Sequence, residues 1–232
     1  MRRLILLLFL TALLAAQAGN EVEIAAEPHH RLVFSNAQVR VFSVDVPPHT
    51  DTLLHRHGHD YIYVMFGACE VSNAVAGKDP ITIQLQDGQV GFTPGNFAHI
   101  VHNHDQPFRN LTIEILEDDK LRHSPTKWDE DRGLNILQGG TQQILFVKDG
   151  IRVSQFELQP GGTAPKPAGP YLLVALSDLR LDAADKPRNA PHNAWDQIFK
   201  KSGDSNWIPA VALHALTNTG PHPVKFVTLE FP

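Results

Sequence analysis

Val39-Arg40-Val41-Phe42-Ser43-Val44-Asp45-Val46-Pro47-Pro48 recurs in the second half of the chain as Ile151-Arg152-Val153-Ser154-Gln155-Phe156-Glu157-Leu158-Gln159-Pro160. In the first copy Phe42, Val44 and Val46 alternate with Ser43 and Asp45, the period of a strand with one face toward a core. The correspondence continues downstream. Asp60-Tyr61-Ile62-Tyr63-Val64 meets Pro170-Tyr171-Leu172-Leu173-Val174, and Leu111-Thr112-Ile113-Glu114 meets Val227-Thr228-Leu229-Glu230. The repeating unit is therefore a β unit of roughly 90 to 100 residues, present twice. Asp118–Gly140, polar and without periodicity, reads as the connection.

The rest of the chain has the same character. Its 16 glycines and 17 prolines punctuate short apolar segments that read as strands. These include Tyr61–Phe66, Ile81–Leu85, Val90–Thr93, Ile100–Val101, Gln143–Val147, Val211–Leu216 and Val224–Phe231. Many short strands separated by turns predict an all-β sandwich or barrel. The best helical signal is a single amphipathic piece around Ala194–Lys201, with Trp195, Ile198 and Phe199 on one side. Cys69 is the sole cysteine, which excludes an internal disulfide and suits a small buried hydrophobe.

Residues 1–18 read as a secretory signal peptide. Arg2 and Arg3 precede an apolar run from Leu4 to Leu14, too short to span a bilayer, and Ala16-Gln17-Ala18 offers a small-x-small cleavage site. The expectation is an exported protein, periplasmic or secreted, with no membrane association once the leader is removed. The formal charge of −5, more acidic still without the two leader arginines, argues against nucleic acid and anionic membranes as partners.

Chemistry concentrates in His55-Arg56-His57-Gly58-His59-Asp60. Alternate residues of a strand share a face, so His55 and His57 can aim two imidazoles at one point. Imidazole with a carboxylate suits Zn, Fe, Cu, Ni or Mn. Downstream, Gly88-Gln89-Val90-Gly91-Phe92-Thr93-Pro94-Gly95-Asn96-Phe97-Ala98-His99-Ile100-Val101-His102-Asn103 supplies a third histidine.

These two stretches resemble the paired motifs of the cupin family. The first family motif has a glycine, an HxH pair, an acid and a closing glycine; His55, His57 and Gly67 match it, and Asp60 stands at the acidic position in place of glutamate. The second runs glycine, proline-x-glycine, histidine, asparagine; Gly88, Pro94, His99 and Asn103 match, with Asn96 where glycine is usual. In the second half Pro209, His214 and Asn218 reproduce the later motif, while Pro165-Lys166-Pro167 occupies the HxH place and Pro170 the acidic one. The resemblance implies two cupin-type barrels (double-stranded β-helix, or jelly roll) in tandem, with the metal site intact in the first alone. The divisions expected are 1–18 signal peptide, 19–117 N-terminal metal-site domain, 118–142 linker and 143–232 degenerate C-terminal domain.

By that resemblance one divalent transition metal (Fe, Mn, Zn, Ni or Cu) would be held by His55, His57 and His99, with Asp60 as a further ligand. Strand alternation alone points Asp60 away, and aspartate is one methylene shorter than glutamate. Three arrangements stay open: Asp60 ligates directly, it hydrogen-bonds a ligand from behind, or His59 replaces it. Tyr61 and Tyr63 share a strand face and read as barrel packing, Asn103 as a network residue and His214 as a hydrogen-bonded core histidine. His102 and His104 read as solvent-facing.

Two functions follow. One is a mononuclear-metal oxygenase of the dioxygenase kind, acting on a small organic molecule; the other is a cupin that binds a metal or small ligand without turnover. A homodimer is an expectation of the resemblance alone. No nucleophile elbow, phosphate loop or dinucleotide fingerprint is present.

Overall fold

The computed structural model describes residues 21–116, 133–184 and 196–232. The proposed leader lies outside them, as do most of the connection between halves and Ala194 and Trp195. The first half contains β1 (Val22–Glu23), β2 (His30–Ser35), β3 (Val39–Val46), β4 (His55–His57), β5 (Tyr61–Met65), β6 (Cys69–Val75), β7 (Ile81–Leu85), β8 (Val90–Thr93), β9 (Phe97–Asn103) and β10 (Phe108–Ile115). The second contains β11 (Gly133–Leu137), β12 (Gly140–Lys148), β13 (Ile151–Leu158), β14 (Thr163–Ala164), β15 (Tyr171–Ala175), β16 (Leu179–Ala183), β17 (Gln197–Lys200), β18 (Ser205–Ile208), β19 (Leu216–Asn218) and β20 (Val224–Glu230).

Each half folds as two sheets. In the first the orders are β1-β4-β9-β6-β7 and β2-β3-β10-β5-β8; in the second, β14-β19-β16-β17 and β11-β12-β13-β20-β15-β18. Shifting the second set back onto the first superposes strand upon strand, so the repeat in sequence is a repeat in topology. The additions are β1, parallel to β4, in the first half and β11, antiparallel to β12, in the second. These are two jelly rolls of the cupin type.

Side-chain alternation explains how they are assembled. On β5, Tyr61, Tyr63 and Met65 face into the first barrel, while Ile62 and Val64 join a cluster with Val39, Val41, Leu111 and Ile113. That cluster also contains Ile151, Val153, Leu172, Val174, Val227 and Leu229 of the second half. The outer faces of the β3-β10-β5 and β13-β20-β15 sheets thus bury one another. Strands apolar on both faces are what such an arrangement demands.

The interiors differ. Phe156, Leu158, Tyr171, Leu173, Leu181 and Phe226 give the second barrel a continuous apolar core, beside a smaller cavity of about 250 Å³. The first barrel keeps its apolar packing to one end, around Met65, Cys69, Val71, Leu85 and Val101, and leaves a cavity. Cys69 is buried and free, as its surroundings in sequence suggested.

Three sequence expectations need correction. Gly133–Leu137 and the first residues of β12, expected within the linker to residue 142, are strands paired into the second half's sheet; the alternation of Leu134 and Ile136 about Asn135 is too short to stand out from the polar run before it, and both side chains are exposed. Gln197–Lys200, read within a helical piece, is a strand in which Ile198 is buried and Phe199 exposed, a period of two. Val211–Leu216, read as a strand, begins as a 3-10 turn at Ala210–Ala212 with Val211 fully outward.

Candidate metal centre

The short strand β4 pairs with β9 so that His55 stands directly opposite His99. With His57 two residues on, three imidazoles enter the first barrel from one face. His55 is wholly buried, His57 and His99 nearly so. Their Nε2 atoms converge: His99 lies 3.0 Å from His55 and 3.1 Å from His57. His57 is flanked by the rings of Tyr61 and Phe97, at 4.4 and 5.4 Å between centroids, which fixes its plane.

A fourth histidine joins them. His30, the first residue of β2, has its ring centroid 4.7 Å from that of His55 and 6.2 Å from that of His57. His30, His55 and His57 each offer a ligand atom within 4.8 Å of the others, the sole group of three or more metal-ligating side chains this close among the described residues. His30 Nδ1 meets Glu27 Oε2 at 2.5 Å, and this fully buried carboxylate also accepts from the His29 and Leu53 amides. Sequence reasoning missed both residues. The signal was thin, an Glu-x-x-His spacing within Glu27-Pro28-His29-His30, and nothing local linked it to the motif residues.

Asp60 is not where the family pattern would have it. Its Oδ1 accepts a hydrogen bond from the Gly95 amide at 2.8 Å, and it does not border the cavity. Alternation points it out of the barrel, and the carboxylate is spent on holding the Thr93–Asn96 loop against the β4–β5 turn. His59, on that same turn, does not border the cavity either. In the same loop Asn96, whose amide donates to the His57 carbonyl at 2.7 Å, has φ of 63°. Asparagine tolerates this left-handed conformation better than most residues, so it can occupy the glycine position of the motif.

The motif asparagine is structural in both halves. Asn103 Nδ2 donates to the carbonyls of Val46 and Pro47 at 2.7 and 3.0 Å, and Asn218 Nδ2 to those of Leu158 and His222 at 3.1 and 2.8 Å. Leu158 is the repeat partner of Val46. The repeat likewise preserves an ion pair between adjacent strands in each half, Arg40 with Glu114 and Arg152 with Glu230. His214 lies 3.9 Å from Asp196, and Ala164 and Leu216 occupy the paired strands that correspond to β4 and β9. His102 and His104 pair with Asp51 and Glu70 at the rim.

The donor set fits a metal. His55 Nδ1 donates to the Leu53 carbonyl at 2.8 Å and His99 Nδ1 to Asn73 Oδ1 at 2.7 Å. Each ring therefore presents an Nε2 lone pair to the centre, and no hydrogen bond can relieve two lone pairs facing at 3.0 Å. A cation between them does. Donors about 2.1 Å from a metal are separated by roughly 3.0 Å along an octahedral edge and roughly 3.4 Å along a tetrahedral one. The observed 3.0 and 3.1 Å lie in the range that donors sharing a metal adopt.

Electrostatics agree. Burial, reinforced by the neighbouring imidazoles, lowers His55 to about 4, His99 to about 3 and His57 to about 2. The rings stay neutral, the form that ligates. Burial raises Tyr61 to about 12, so it faces the centre as a phenol.

The cavity that receives these groups has a volume of about 460 Å³. Tyr61 and Tyr63, expected to pack the barrel, line it instead, together with Thr112, Asn110 and Phe108 from β10.

No family model and no curated protein matches the sequence. Solved structures do share the fold. Oxalate decarboxylase from Lactobacillus farciminis, in a formate complex, superposes with a TM-score of 0.59 at 15% identity over 85% of this chain and 78% of that one. Bacillus subtilis oxalate decarboxylase gives 0.56 at 13% over 84% and 68% in a structure at pH 4.6, and 0.57 at 12% over 89% and 75% in one from work on its Mn(II) centres. The chain thus has the cupin fold and carries, within it, a histidine group able to bind a metal.

Proposed function

We propose that this is an exported protein whose first barrel holds one divalent transition metal on His55, His57 and His99, with His30 as a fourth donor, and whose second barrel is a metal-free scaffold. The packing of four buried imidazoles carries this reading: His30, His55 and His57 offer ligand atoms within 4.8 Å of one another, and His99 Nε2 lies 3.0 and 3.1 Å from those of His55 and His57. The metal would act as a Lewis acid or as a site for dioxygen, and we assign the protein to oxygenase-type chemistry on a small organic molecule. A donor set of neutral imidazoles leaves the charge of the cation uncompensated, which favours an anionic substrate oxygen beside it.

A second reading, metal or ligand binding without turnover, is favoured by one observation. Among the described residues no carboxylate borders the cavity to carry protons, since Asp60 is bound to Gly95 and Glu27 to His30. Metal analysis of the purified protein, then oxygen uptake with phenols, diketones and carboxylates, separates the two. Loaded protein with no uptake and no product excludes the oxygenase; release of carbon dioxide from oxalate without net oxygen uptake would assign it the chemistry of its structural neighbours instead.

A further inference from the structure

The lining of the cavity changes character along the strands that build it. On β5 it passes from Tyr61 to Tyr63 to Met65, and on β9 from His99 to Val101. Register places Tyr61 opposite Glu114, Tyr63 opposite Thr112 and Met65 opposite Asn110, so these are successive levels of one barrel. Four residues of strand cover roughly 13 Å. The end remote from the histidines is closed by Val71, Ile83, Leu85 and Phe108. The sole Lys, Arg, Asp or Glu side chain bordering the cavity among the described residues is Lys78, which is exposed.

Resting on the metal-site reading above, we infer that the cavity takes a monoanion with an apolar body: a carboxylate or enolate head at the histidine centre and an aromatic or medium-chain tail running toward Leu85. A compact dianion such as oxalate fits poorly, because it would leave most of the 460 Å³ hydrated against aliphatic side chains. Burial of a phenyl or hexyl tail supplies affinity that a bare carboxylate head lacks.

The test is calorimetric titration of the full-length Mn(II)-loaded protein with 4-phenylbutyrate, acetate and oxalate, with metal content measured on the same samples. Phenylbutyrate should bind at least about 30-fold more tightly than acetate or oxalate. Leu85→Asp should remove most of that advantage, read as the ratio of phenylbutyrate to acetate affinity on the same folded, metal-loaded variant. Ile83→Gln, a milder change at a half-exposed position, should do so in part, with melting temperature followed to confirm folding. Oxalate binding as tightly as phenylbutyrate, or a tail advantage untouched by both variants, would overturn the inference. Failure to retain Mn(II) would count against the metal site alone, because the tail preference can then be read on the metal-free protein with neutral probes, 4-phenylbutanol against ethanol.

Discussion

An imidazole tied down at Nδ1 has one direction left in which to act. Leu53 and Asn73 impose this on His55 and His99, and Glu27 imposes it on His30. Replacing His55 or His57 with alanine should abolish metal retention, whereas His214→Ala should leave it intact; loss of metal in the latter would place the site in the wrong half. Glu27→Gln keeps the shape but weakens the partner of His30, and should reduce metal affinity about 10- to 100-fold by titration. Protons compete for the same rings. His55, His57 and His99 lie below the ordinary imidazole value of 6.5, so on acidification the unfolded chain takes up protons first. For the metal-free protein this stability is complete above about pH 6.5 and declines as the pH falls toward 4, where His55 begins to protonate in the folded state. Thermal melts at pH 7 and pH 5 should show the fall, and a His55→Gln, His57→Gln double variant should flatten it. The HxH pair and His99 were legible in the sequence because their spacing is that of strands in register. His30 was not, since its approach depends on where β2 crosses β4, a tertiary fact with no local period.

At the scale of the element, a loop of four residues keeps the two ligand strands in place. A Cβ on Gly95 would lie 2.3 Å from the backbone carbon of His59, so the Thr93–Asn96 loop and the β4–β5 turn can approach this closely only with glycine there. Gly95→Ala should therefore separate β4 from the start of β9, lowering both the melting temperature and metal affinity. Asp60→Asn should weaken the same junction by about 1 kcal/mol, read by denaturant melts, without the near-total metal loss expected of a ligand. That contrast decides between Asp60 as a loop anchor and Asp60 as a donor. Strand-period reasoning anticipated this outcome in part, because the third residue after His57 falls on the outer face. It went astray at Gln197–Lys200, where apolar residues three and four apart imitated a helix while the sheet edge at β16 set the structure.

For the whole molecule, the repeat in sequence is a repeat of the apolar outer face as much as of the barrels. Val39, Val41, Ile62, Val64, Leu111 and Ile113 are all buried by the second half, which explains why a barrel without an HxH pair persists: it covers the first. The second barrel packs its interior with apolar rings, Phe156 and Phe226 stacked at 4.9 Å, where the first barrel carries its histidines. Unfolding should consequently be one transition rather than two. Leu229→Ala, at a fully buried interface position in the half where the described residues hold no metal-ligand group, should cost about 2 to 5 kcal/mol of global stability. Calorimetry should show the single peak moving down intact, and the metal of the first half should be released at that same lower temperature. A peak that split, with metal release unmoved, would mean that the halves fold independently and that their shared face contributes little.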